Sequence, residues 1–220
     1  MTCDEFRRRL AIAASYSDEH FAAFLLNNDL LGGTLTAVQR REIITGAVHS
    51  GADAARELRE RFAAKLPAEM ACLLGVKIVT GDLSGAKLVL SNYAPRTATV
   101  TLNQVLIEKL EQCLVRQMLL PGIFNPAEVA IAHELFHHIE SSDQGVFSRQ
   151  FKVTLWHLGP LRYRSTVPAA GEIAATVCAK ILCCLCFNPA LLEAVALYIK
   201  DGQRLAEWFD QLDRACLKSA

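Results

Sequence analysis

One segment restricts the fold of this chain more than any other. Asn125-Pro126-Ala127-Glu128 has the form of a helix start, with Asn as N-cap, Pro at the first helical position and Glu three residues after the cap. Val129, Ala132, Phe136 and Ile139 then recur at spacings of three and four, and Ile131 and Leu135 widen the apolar face. The spacing predicts a long, mostly buried helix. Embedded in it is His133-Glu134-Leu135-Phe136-His137. Residues four apart on a helix stand one above the other, so His133 and His137 can offer two imidazole nitrogens to one ion. Glu134 lies beside them, placed to take a proton from water at that ion. This is the zinc-hydrolase arrangement. A core helix that merely carries two histidines and an acid would bury all three without a shared partner, which is costly.

Two protein ligands are too few, because a hydrolytic zinc site usually has three and one open position. Downstream candidates are Glu140, Asp143, His157 and Glu172. Glu140 shares the stripe of His133 but lies seven residues on, about 10 Å along the axis. Asp143 follows the expected helix end at Ser141-Ser142, and His157 sits in a segment of weak periodicity. Glu172 opens a second strong helix, expected from Gly171 to about Phe187. A carboxylate on a facing helix approaches the ion from a new direction. Ile173, Thr176, Val177, Lys180, Ile181 and Cys184 form a mainly apolar stripe, and small Ala174, Ala175 and Ala179 permit close packing on the histidine helix.

The run Glu172-Ile173-Ala174-Ala175-Thr176-Val177-Cys178-Ala179-Lys180-Ile181-Leu182, following the Ala132-His133-Glu134-Leu135 helix, resembles the paired motifs of the ImmA/IrrE-type metallopeptidases. Cys178 stands where that family usually has Phe, and the 35 residues from His137 to Glu172 are a longer spacing than the family's. The likeness covers roughly residues 75–190. It implies a small cytoplasmic zinc-dependent peptidase with a zincin-like fold and Glu172 as third ligand. Members of that family include proteins that cleave transcriptional repressors, so the resemblance also implies a regulatory protein as substrate.

Bulk properties agree with a compact enzyme. The 220 residues are 52% hydrophobic and 21% charged, enough for a sizeable core. The formal net charge is zero, from 23 basic and 23 acidic residues, whereas nucleic-acid binders usually carry a basic excess. Arg7-Arg8-Arg9 and Arg40-Arg41 read as solvated helix faces. The amino terminus lacks an apolar stretch of signal type. The apolar region from Ala179 to Ile199 is broken by Asn188-Pro189 and carries Lys180 and Glu193, so it reads as two buried helices and fails as a membrane span. Eight scattered cysteines do not form a secreted disulfide pattern. Cys183 and Cys186, three apart on the expected helix, have no second pair at zinc-ribbon spacing and are read as packed thiols.

The expected class is α+β. Residues 1–74 read as helical, forming a subdomain or cap, with breaks at Gly32-Gly33 and Gly51 and a helix starting near Asp53. Residues 75–220 form the second unit. Strands are expected at Val76–Thr80, Lys87–Asn92 and Thr97–Leu102, giving a small, largely antiparallel sheet packed on the histidine helix. A helix from about Asn103 to Met118 follows, and three helices close the chain. Zincins hold extended peptide on a sheet edge by strand addition.

The expected chemistry is peptide-bond hydrolysis in a protein or peptide substrate. Zinc is held by His133, His137 and Glu172, and Glu134 moves a proton from water to the leaving amine. Tyr163 and His157, between the ligands, are the favoured donors to the oxyanion. His138 and Glu140 either support the ligands from behind or lie at the surface. Two other classes stand beside the enzyme. One is a catalytically inactive metal-binding interaction module, against which the presence of Glu134 argues. The other is a DNA-associated regulator, which salt-sensitive binding to nonspecific duplex would reveal.

Overall fold

The computed structural model describes residues 1–63, 65–83, 88–117, 119–158 and 161–217, with the side chains of 157, 158, 216 and 217 outside the description. The first region is helical: α1 (Cys3–Ala13), α2 (Asp18–Asn27), α3 (Ala37–Phe62) and α4 (Pro67–Leu73). Hydroxyl side chains start three of these. Thr2 accepts from the Glu5 N–H, Ser17 from the His20 N–H, and Thr36 forms a reciprocal capping box with Gln39.

The break at Gly32 is present as a short 3-10 turn, but Gly51 does not break anything. It lies buried inside α3, and a Cβ there would stand 2.3 Å from the carbonyl oxygen of Ala174. Glycine at 51 permits close crossing by α8 (Pro168–Leu182), so the helix expected near Asp53 starts sixteen residues earlier, at Ala37. The flexibility of glycine suggested a break, and packing used its small size instead.

Strands β1 (Lys77–Gly81), β2 (Ser91–Ala94) and β3 (Thr99–Asn103) form a sheet of order β1-β3-β2. β2 and β3 are antiparallel across the turn at Pro95, as expected. β1 and β3 are parallel, so the sheet is mixed and not largely antiparallel. The expected start of the second strand at Lys87 lies outside the described residues, and so does Met118, just past α5 (Gln104–Gln117).

Next come α6 (Pro126–Ser142) and α7 (Phe147–Gln150), followed by an antiparallel pair, β4 (Val153–Leu158) and β5 (Leu161–Ser165), that periodicity did not reveal. Helix α8 then leads to α9 (Leu191–Lys200) and α10 (Gly202–Leu217). Helix α8 is buried almost all round, as its run of alanines and β-branched residues requires. It begins at Pro168 and not at Gly171, because Pro168 occupies the first helical position after an extended Val167. It also ends at Leu182, short of the expected Phe187. Cys183 and Cys186 therefore lie past the helix, and Cys184 turns the chain with φ of +52°.

The main apolar core draws on Phe6, Phe21, Phe24 and Ala55 together with Leu135, Phe136, Ala174 and Phe209, so residues on both sides of position 74 share it. Among the described residues no helix is long and apolar enough to cross a membrane. Arg9 is engaged by Asp210 and Asp213 at 2.9 and 2.7 Å.

Candidate metal centre

Helix α6 is built as its sequence requires up to one detail. Asn125 caps it by accepting from the Ala127 N–H. Glu128 does not close a capping box; its carboxylate accepts from the Ala68 N–H at 2.9 Å and ties α6 to α4. One turn further on, His133 and His137 point together, with Nε2 atoms 3.2 Å apart. Helix α8 brings Glu172 to the same point. Its Oε2 lies 3.4 Å from Nε2 of His133, and its Oε1 lies 3.6 Å from Nε2 of His137.

These separations test the fit of a metal. Bonds of about 2.1 Å in a tetrahedron leave neighbouring ligand atoms about 3.4 Å apart, and in an octahedron about 3.0 Å. The three distances, which involve both oxygens of Glu172, run from 3.2 to 3.6 Å, close enough for the three side chains to share one ion. Two imidazole nitrogens and a carboxylate also form an electron-rich triangle, which needs a proton or a metal cation at its centre. Among the described residues this is the group of three His, Cys, Asp or Glu side chains that could hold a metal ion.

The electrostatics carry the same signature. Burial pulls the His133 pKa down, but the hydrogen bond with Glu172 and the charges of Glu134, Glu172 and Glu140 more than offset it, raising the pKa above the ordinary value. The Glu172 side chain is more than half exposed at the mouth of the cleft; the surrounding protein pushes its carboxyl up, and the His133 hydrogen bond with the charges of both histidines overcomes this, holding it at about 2.

Glu134 is buried at 5% exposure, and the Ser91 hydroxyl donates to its Oε1 at 2.6 Å. The two other acids of α6 and its end have different work. Glu140 accepts from the far side of His137, Nδ1 to Oε2 at 3.0 Å. Burial raises its pKa, and hydrogen bonds from His137 and Ser148 with the charges of His137 and Arg149 lower it further than burial raises it. Asp143 accepts from the Gly145 N–H and shapes the turn after α6. His138 faces away from the ion site toward β2, with Nδ1 2.8 Å from the Tyr93 hydroxyl; burial lowers its pKa.

A cleft of about 750 Å³ opens over these groups. Leu25, Val129, Ala130, Leu192 and Ala196 supply apolar wall, and Ser91, Asn92, Tyr93 and Arg149 supply polar contacts. The structure does not bring Tyr163 into this cleft. It is 52% exposed on β5 and stacks on Trp156 of β4, with ring centroids 5.8 Å apart. The backbone of His157 lies in β4, opposite Arg162, and its side chain lies outside the described residues. Ser91, Tyr93 and Arg149 escaped the sequence reading. Ser91 and Tyr93 are two apart, hence on one strand face, but which helix that face meets is not a local property.

Comparison with protein-family models, with curated proteins and with solved structures returns no match.

Proposed function

We propose that the chain is a zinc-dependent peptidase with a zincin-like site of the kind its motifs resemble. The observation that carries this reading is the convergence of His133, His137 and Glu172 to within reach of one ion, next to a buried acid. A zinc ion held there supplies a Lewis acid and makes water a nucleophile at neutral pH. Glu134 takes the proton from the attacking water and delivers it to the leaving amine, while Ser91 holds its Oε1 in place. Coordination alone has no need of Glu134, and this favours a hydrolase over a purely structural site.

The edge of the sheet supports a peptide as substrate. The Asn103 N–H donates to the carbonyl of Leu90 opposite it, so in this register Asn92 and Ala94 point their N–H and C=O groups toward β3 as well. The N–H and C=O groups of Ser91 and Tyr93 therefore face away from β3. Both residues line the cleft, where an extended peptide can add a strand.

The test has two stages. Protein purified without added metal or chelator should carry about one zinc per chain, by elemental analysis. Glu134→Gln keeps the shape and should keep the zinc, while cleavage falls by at least ~100-fold. A proteome-wide comparison of new termini in cells holding wild-type or Glu134→Gln protein reads that loss. Zinc-loaded protein whose wild-type and variant terminus profiles coincide supports a catalytically inactive interaction module instead.

A further inference from the structure

The third acid of the α6 segment, Glu140, has contacts on three sides. Its Oε2 meets Nδ1 of His137 at 3.0 Å. An ionised carboxylate only accepts, so Nδ1 must carry the hydrogen, and in the neutral ring Nε2 then has its lone pair free toward His133 and Glu172. Its Oε1 receives the Ser148 hydroxyl of α7. Its backbone carbonyl accepts from Nε of Arg149 at 3.0 Å. The carboxylate also lies against Gly171, where a Cβ would stand 2.7 Å from Oε1. Gly171 is buried and immediately precedes Glu172.

One side chain therefore touches both halves of the ion site. It hydrogen-bonds His137 of α6 and lies against Gly171 in the first turn of α8. Helix α7 is only four residues long but is anchored: the Phe147 ring fills the space over Gly46 of α3, where a Cβ would come within 2.3 Å of it. The contacts run from α3 through α7 to Glu140 and on to His137 and Gly171.

We propose that Glu140 is the positioning residue of the metal centre, holding His137 in its metal-binding tautomer and, through contact with Gly171, seating Glu172 opposite it. The inference rests on the metal site proposed above. It predicts that affinity and coordination geometry depend on two residues that need not touch the ion. Hydrogen-bond partners of metal-bound histidines typically govern ~10–100-fold of affinity.

The experiment uses the full chain, with zinc affinity from competition against a chromophoric chelator and the visible absorption of the Co²⁺-loaded protein as probe of geometry. Glu140→Ala should weaken zinc binding ~10–100-fold and alter the Co²⁺ spectrum. Glu140→Gln retains an acceptor for Nδ1–H and should restore the spectrum and much of the affinity. Gly171→Ala leaves every polar group in place, yet should weaken binding by pushing on Glu140. Combined with Glu140→Ala it should add little, since both act through one contact. Thermal unfolding of the metal-free forms identifies any variant that fails to fold. Should Glu140→Ala not fold, Gly171→Ala and Glu140→Gln carry the test. Wild-type affinity and an unchanged Co²⁺ spectrum in the folded variants overturn the positioning role. A wild-type protein that binds no zinc overturns the metal reading itself.

Discussion

The helix pair α6–α8 and the β4–β5 strands between them carry comparable chemistry in sequence and very different structure. His133, Glu134, His137 and Glu172 sit on helices packed against the core, and hydrogen bonds from Ser91 and to Glu140 hold Glu134 and His137. Trp156, Arg162, Tyr163 and Arg164 sit on exposed strands, where the Trp156–Tyr163 stack is the main described contact between side chains. A histidine or tyrosine becomes useful when surrounding atoms over-determine its position. Residue type and proximity to the motif do not supply that, and packing does.

The sharpest way to break this contrast is to remove a ligand. His133→Ala or His137→Ala should lose the zinc. At zinc concentrations ~1,000 times Kd the lost stabilisation is about 4 kcal/mol, a fall of roughly 8–16 °C in Tm for a chain of this size. Undiminished zinc in both variants, by elemental analysis, would move suspicion to Cys183 and Cys186.

Acid should act on the same pair. Zinc needs neutral imidazoles, and the carboxylates around His133 raise its pKa above the usual 6.5. Zinc affinity should therefore start to fall above that value as pH drops, by up to ~10-fold per pH unit for each proton taken up. In metal-free protein the sign reverses. Charged His133 beside Glu172 contributes stability that is full below 6.5 and lost as pH rises through the raised folded value. Chelator competition and thermal melts across the range from pH 5 to about 8 should give these opposite trends; parallel trends would sink the assignment of His133.

The contact behind α8 gives a smaller effect. Gly51→Ala gains about 1 kcal/mol of helix propensity, yet its Cβ must push back the Ala174 carbonyl, 2.3 Å away. A net loss of about 1–3 kcal/mol is expected, with weaker zinc binding because α8 carries Glu172. A more stable variant with normal affinity would show that α3 does not set the position of α8.

The smallest effects belong to the strands. Trp156→Ala and Tyr163→Phe should change stability within ~0.5 kcal/mol and leave zinc content and terminus profiles as in wild type. Loss of cleavage in Tyr163→Phe with zinc retained would return Tyr163 to the site and erase the contrast.

The helix bearing His133, Glu134 and His137 was legible because its information is local. A cap, a proline and a repeat of three and four residues define it, and helical geometry alone brings i and i+4 together. The α+β class and three closing helices were legible for the same reason. Glu172 was readable from its helix and from a resemblance. Tertiary structure alone paired Ser91 with Glu134, 43 residues away, placed β3 between β1 and β2, and carried α3 unbroken through Gly51 to meet α8. Sequence left Glu140 either behind the histidines or at the surface, and only the fold puts its Oε2 3.0 Å from Nδ1 of His137. Short-range periodicity reports which face of an element is buried; which atoms wait on the other side is decided by packing between segments far apart in the chain.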